Sequence, residues 1–246
     1  EPFFLHLAHY APHRPIEAPA EVVQKYIEQG RNETNATIYA MIEIMDRGIG
    51  QLMDHLDRLG IRENTLVIFS SDNGPDPMTG ERYNRGLRGT KYTVYEGGIH
   101  VPLLVNWKNH FKAAHSKEVI HFTDLFPTLV DVCHLQLAET IDFEGGSMAG
   151  LLRGEDTANL PERRYWQWNR GVPYYSHNAA IRMGKWKLVR PFVTRVEPDG
   201  ESEEKPVLYN LEKDPAEEHD VSEEHWRVYQ NMKTWLEAWC RKMEFR

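Results

Sequence analysis

Two oxygen-bearing side chains, Asp72 and Asn73, stand where the apolar run Leu66-Val67-Ile68-Phe69 breaks into Ser70-Ser71-Asp72-Asn73-Gly74. One offers a carboxylate and the other a neutral amide oxygen, hard donors that suit Ca²⁺ or Mg²⁺ better than a soft metal. The plain alternative is a turn in which both side chains bond their own backbone. Downstream, Lys91 lies in Gly89-Thr90-Lys91, ahead of Tyr95-Glu96-Gly97-Gly98 and the apolar run Val101-Pro102-Leu103-Leu104-Val105. Upstream, His9 and His13 belong to the proline-rich turn His9-Tyr10-Ala11-Pro12-His13-Arg14-Pro15. A histidine on so rigid a loop could act as a general acid or charge donor, and a surface or packing role competes with that. Arg82, Arg85 and Arg88 lie in an expected exposed loop over residues 75–90 and could draw in an anion, or could simply be solvated.

These residues need a scaffold, and the hydrophobic pattern outlines one. Pro2 to Ala8 is strand-like, with His6 inside it. Between Ala20 and Gly60 the apolar residues Ile38, Met41, Ile42, Ile44, Met45, Ile49, Leu52, Met53 and Leu56 recur at helical spacing, predicting a long amphipathic helix that Gly60 stops. Leu66 to Phe69 then reads as a buried parallel strand, and strand ends at the carboxyl edge of such sheets are where sites form. Helix, short loop and strand in that order predict a βαβ unit with a right-handed crossover. Thr128 to Cys133 looks helical, entered through Pro127, and Asp124 could cap it or help order the site, the structural role being the better supported.

Beyond Leu152 the texture changes. Residues 153–163 are expected to link a catalytic α/β part, residues 1–152, to a smaller α+β part, residues 164–246. Closely spaced aromatic strands at Tyr165–Trp168, Ala179–Arg182, Lys185–Val189 and Val207–Leu211, with a turn at Pro198-Asp199-Gly200, predict a small antiparallel sheet. An amphipathic helix over residues 222–243 would pack on it through Trp226, Tyr229, Met232, Trp235, Leu236 and Trp239. The fold class is therefore α/β, a mostly parallel sheet flanked by helices with a small antiparallel sheet appended.

Composition limits the partners. The 246 residues are 41% hydrophobic and carry a formal net charge of −8, enough apolar content for a sizeable core and the wrong sign for a nucleic-acid surface. No apolar run approaches the ~20 residues that span a bilayer. The two cysteines, Cys133 and Cys240, cannot frame a disulfide scaffold and are expected to be free buried thiols. Asn32-Glu33-Thr34 and Asn35-Ala36-Thr37 are formal glycosylation sequons, taken here as chance.

The ordered series Asp72-Asn73-Gly74, Gly89-Thr90-Lys91, Glu96-Gly97-Gly98 and Val101-Pro102 resembles the sulfatase family of the alkaline phosphatase superfamily. Its members carry an Asp-Asn-Gly after a strand, then a G-x-K-x-x-x-x-E-G-G-x-R-V-P segment. The chain departs once, with His100 in place of the usual Arg, which questions any pairing that Arg would make. Pro12-His13-Arg14-Pro15, the Asp124-Leu-x-Pro-Thr element and the closing Ala-Ile-Arg-x-Gly-x-Trp-Lys-Leu-Val and Leu-Tyr-Asn-Leu-x-x-Asp-Pro stretches are also similar, so the resemblance covers nearly the whole chain.

The resemblance implies that Asp72 and Asn73 hold Ca²⁺, with Mg²⁺ as a second choice. Lys91 and His13 would act on a sulfate ester, and His9 and Arg88 would contact substrate. The family's nucleophile is a formylglycine from a C/S-x-P/A-x-R motif near the N-terminus, which these residues do not contain. The chain is accordingly expected to be the C-terminal part of a longer protein, to bind calcium weakly and not to turn over alone. The substrate would be an aryl or carbohydrate sulfate, and the full-length protein would be periplasmic or extracellular. Two alternatives remain open: a non-catalytic or truncated paralogue that binds sulfated ligands, and a phosphodiesterase or phosphonate hydrolase of the same superfamily.

Overall fold

The structure is a computed structural model that describes residues 1–77, 84–155, 159–168, 178–191 and 205–244. Its internal contacts divide it into two units, Glu1–Val67 and the described chain from Ile68 onward. Arg82 and the Pro198–Gly200 turn lie outside the described residues.

The first unit is a helix pair. Helix α1, Ala20–Glu28, packs along α2, Glu33–Arg58. The periodicity predicted one helix, but Gly30 adopts φ +83° and breaks it, a left-handed conformation that glycine takes at little cost. Asn32 restarts the chain as N-cap, its side chain accepting from Asn35 N at 2.9 Å. The fully buried Ala36 and Ala40 sit on the buried stripe with Met41 and Leu56. Lys25 and Tyr26 of α1 both reach Glu43 of α2 at 2.8 Å.

The strand expected at Pro2–Ala8 does not form. Residues 1–10 are irregular and exposed, Phe3, Phe4, Leu5 and Leu7 by 61%, 84%, 61% and 52%. No described strand pairs with this run, and a strand without a ladder leaves its backbone groups to water. His6 is therefore exposed coil.

In the second unit β1, Val67–Ser70, pairs with β2, Leu103–Asn106. Every residue of β1 is half-buried, where full burial was expected, because β2 is its one described partner. Between them lies the single helical turn α3, Glu96–Ile99. Helix α4, Leu125–Val132, starts three residues earlier than expected, placing Pro127 in the first turn, where its missing N–H costs nothing. The short α5 spans Ala149–Arg153. Cys133 is exposed just past the end of α4, contrary to expectation, whereas Cys240 is buried. Within the expected 153–163 linker, Asn159 O packs so closely on Gly146 that a Cβ there would meet it at 1.7 Å.

The four aromatic strands form as expected. Strands β3, Arg163–Gln167, β4, Ala179–Met183, β5, Trp186–Arg190, and β6, Val207–Asn210, make one antiparallel sheet in sequence order. Alternation splits their side chains between two faces. Ala179, Ile181, Leu188 and Leu208 meet Tyr229, Met232, Leu236 and Cys240 of α6, Trp226–Glu244. Ala180, Val189 and Tyr209 meet Val94 and Tyr95, the residues that follow Lys91. Each fully buried Val, Ile, Leu or Met side chain among these contributes about 1.5–3 kcal/mol. The sheet thus anchors, on one face, the segment that carries the candidate site.

Candidate functional site

Asp72 and Asn73 leave the end of β1 on a turn fastened at several points. Ser70 Oγ donates to Pro102 O at 2.9 Å, beside the start of β2, and Ser71 Oγ donates to Asn73 O at 3.2 Å. Asn73 Nδ2 donates to Gly74 O at 2.8 Å, which engages the amide nitrogen, so that Oδ1 is the atom that could ligate a cation. Asp72 is exposed and Asn73 half-buried.

The Lys91 segment is bolted onto this turn through main-chain atoms. Gly74 N donates to Gly98 O at 2.8 Å, and Lys91 N donates to Pro75 O at 2.8 Å. The approach is so close that a Cβ on Gly74 would stand 1.9 Å from Gly97 O. On the other side, a Cβ on Gly97 would meet Gly89 O at 2.3 Å. Glycine is required here because two backbones touch. The Lys91 side chain is half-buried, its Nζ 5.6 Å from the Tyr92 ring centroid. The structure thus brings together three of the predicted residues, Asp72, Asn73 and Lys91.

Arg88 is placed differently from expectation. Its guanidinium lies 4.2 Å from the Tyr95 ring centroid and donates to Tyr209 Oη at 3.1 Å and Glu217 O at 2.8 Å. These contacts turn it onto the C-terminal sheet, where it ties down the loop before Lys91. Burial, with Tyr95 beside it, pushes the Tyr209 hydroxyl well above its usual pKa, so it stays protonated as a neutral acceptor.

His9 and His13 belong to the first unit. Both are exposed. His13 N donates to Tyr10 O at 2.9 Å, its Nδ1 lies 2.9 Å from Arg14 O, and the Tyr10 ring meets it edge-on at 5.5 Å. Tyr10 Oη also donates to Arg14 O. The turn holds the imidazole by Nδ1 and leaves Nε2 outward.

Sequence reasoning missed the charges beneath α3. Glu96 is 5% exposed, and Lys187 Nζ reaches its Oε1 at 2.9 Å. His100 and Arg182 approach Oε2 of the same carboxylate at 3.2 and 3.4 Å. His100, which stands where the family pattern has Arg, thus pairs with Glu96, and Arg182 joins it from β4. Burial alone would raise the Glu96 pKa, but His100, Lys187 and Arg182 together bring it down to about 2. Glu217, fully buried, also faces Lys187, and burial raises its pKa against the opposing pull of the Lys187 ammonium and the Glu96 N–H. A lysine at the buried centre of an apolar strand was the signal available in the sequence.

The chain matches the family profile "Sulfatase" over residues 1–135 and "N-sulphoglucosamine sulphohydrolase, C-terminal" over residues 89–242. It is 32% identical to mouse arylsulfatase J over 77% of this chain and 34% of that protein. A solved Bacteroides thetaiotaomicron structure, described under metabolism of multiple glycosaminoglycans, superposes with TM-score 0.79 at 26% identity, covering 98% of this chain and 51% of the other. A second structure, Ps i-CgsB in complex with k-i-k-neocarrahexaose, superposes with TM-score 0.73 at 28% identity over 94% and 48%. The chain spans about half the length of these solved structures, and less of the curated relative.

Proposed function

The chain belongs to the sulfatase family, with its alkaline-phosphatase-like α/β fold, and we propose that it carries the calcium- and sulfate-binding part of a site that hydrolyses carbohydrate or aryl sulfate esters. One observation carries this: the hydrogen bonds Gly74 N to Gly98 O and Lys91 N to Pro75 O fasten a pair of hard oxygen donors to the turn bearing a cation. An exposed carboxylate beside an amide whose nitrogen is already engaged fits part of a calcium shell, which takes 6–8 oxygens in all.

Sulfate ester hydrolysis breaks the S–O bond to the alcohol and moves negative charge onto the leaving oxygen. When bound, calcium would draw charge from the sulfate oxygens, and a formylglycine would offer the attacking oxygen. Asp72 and Asn73 Oδ1 would hold the metal. Lys91 would act as a point charge on the sulfate, and its tethered backbone would keep the ammonium in place without reorganisation. His13, fixed through Nδ1, would donate from Nε2 to the ester oxygen. Arg88 serves this site through the loop it anchors. His9 is assigned to the substrate side. The sugar-bound and glycosaminoglycan-linked relatives support a carbohydrate sulfate.

The test is sulfate release by the full-length protein from an aryl sulfate and from sulfated carrageenan or glycosaminoglycan oligosaccharides, with chelation and calcium re-addition. Calcium-dependent sulfate release supports the reading. Cleavage of phosphodiesters without any sulfate release, or binding of sulfated glycans without turnover, overturns it.

A further inference from the structure

Lys187 is the second residue of β5, between Trp186 and Leu188, and is fully buried. Its neighbour on the same face, Val189, packs in the apolar cluster with Val94 and Tyr95. An ammonium in that position costs several kcal/mol in desolvation, and an aliphatic side chain would fill such a site at no such cost. What the ammonium does is connect. It lies 2.9 Å from Glu96 Oε1 and 2.9 Å from Glu217 Oε1, the second contact at ion-pair distance without hydrogen-bond alignment.

From these two residues, by side chain and by main chain, the connections run to the Lys91 turn. Glu217 Oε2 accepts from Glu96 N at 2.6 Å, and Glu217 O accepts from Arg88 Nη1 at 2.8 Å. Arg88 O in turn accepts from Gly97 N at 2.6 Å, closing the loop around residues 88–97. Gly98 O then reaches Gly74 N, beside Asn73. Both ends of the turn that bears Lys91 are therefore held by Glu96 and Glu217, the two residues whose carboxylates meet one buried ammonium.

We propose that Lys187 is a positioning residue for the site: by clamping Glu96 and Glu217 it fixes the Lys91 turn against the Asp72-Asn73 turn, from the C-terminal sheet and without touching substrate. The ligand and reaction assigned to that site rest on the function proposed above, but the clamp itself is a property of the fold. Two carboxylates around one ammonium make the arrangement unique, because any other seating of α3 on the sheet leaves a buried charge unpaired.

The test compares the wild-type protein with Lys187→Met and with the double variant Lys187→Met/Glu217→Gln. The double variant removes the charge that the single one strands, so it keeps the fold if the single variant does not. Backbone hydrogen exchange is followed in residues 86–98, in β4 and in α6, alongside kcat and KM for sulfate release by the full-length protein. The expected result is at least ~10-fold faster exchange confined to residues 86–98, since local opening there no longer breaks the clamp. With it should come a fall in kcat of roughly 10-fold or more at little changed KM, because misplaced groups lose the transition state before they lose the ground state. Unchanged exchange in residues 86–98, or a rise shared equally by β4 and α6, overturns the proposal. Exchange needs no substrate, so a wild-type protein that releases no sulfate refutes the proposed function and leaves the clamp to be judged by exchange.

Discussion

Asp124 and Arg164 form a bidentate pair in which Nη1 meets Oδ1 at 2.9 Å and Nη2 meets Oδ2 at 2.8 Å, with Asp124 fully buried and Arg164 4% exposed. The same carboxylate accepts from His121 N at 2.7 Å and Gly146 N at 2.9 Å. Every oxygen is satisfied, and the entry to α4, the Gly146 turn and β3 are joined through one side chain. Asp124 is thus structural, but through Arg164, His121 N and Gly146 N rather than as a side-chain cap of α4, to which it makes no cap hydrogen bond.

Arg164→Met should destabilise the protein by about 3–5 kcal/mol, since it leaves a buried carboxylate without its counter-charge. A double Asp124→Leu/Arg164→Met variant should lose less than the single one, apart from the backbone N–H groups it orphans. Denaturant midpoints compare the two.

Gly74→Ala should destabilise by about 1–3 kcal/mol through overpacking, because the new methyl meets Gly97 O. A chain of this size loses ~2–4 °C in Tm per kcal/mol. Gly48→Ala, where a Cβ meets nothing within 4 Å, should not lower Tm.

Lys91→Ala should lower kcat/KM for sulfate esters by roughly 10²–10³, the cost of losing one preorganised charge at the developing anion. Thermal stability should be unaffected, because the turn is held by backbone atoms. An unchanged kcat/KM would remove Lys91 from the catalytic set.

Asp72→Ala should weaken calcium binding by more than the ~10–100-fold typical of losing an outer partner, since here the ligand itself goes. Calorimetric titration of the metal-free protein measures this. Asp76→Ala, on the same loop, should leave calcium affinity near wild type.

Acid sensitivity follows from Glu96. Its folded pKa of about 2 lies below the ordinary 4.5, so its pairing stabilises the fold fully above the unfolded value and loses that contribution as pH falls through this window. The effect is on the order of a few kcal/mol and is partly offset by Glu217, whose raised pKa works in the opposite sense. Glu96→Gln should flatten the stability profile between about pH 4.5 and 2.

Local signals made much of this legible. The β3–β6 sheet followed from alternating aromatic runs, and the Asp72–Asn73 turn from the break after Phe69, because both are properties of neighbouring residues. The long-range pairs were not. Nothing near Lys187 in sequence announces that Glu96 and Glu217 lie beside it, and Arg88 reads as a solvated loop cation until Tyr95 and Tyr209 close over it. The strand predicted at Pro2–Ala8 shows the same limit from the other side: apolar alternation supplies a face, but a ladder must come from another segment. In α1 and α2 the periodicity was right and one glycine changed the outcome.

The contact between the Gly74 turn and Gly97–Gly98 carries a consequence for how such a protein can diverge. The Asp72-Asn73 turn and the Lys91 turn meet main chain to main chain, through Gly74 N to Gly98 O and Lys91 N to Pro75 O, so their separation does not depend on the exposed loop side chains around them. Side chains on the surrounding loops can then be exchanged while the gap between the two turns keeps its width.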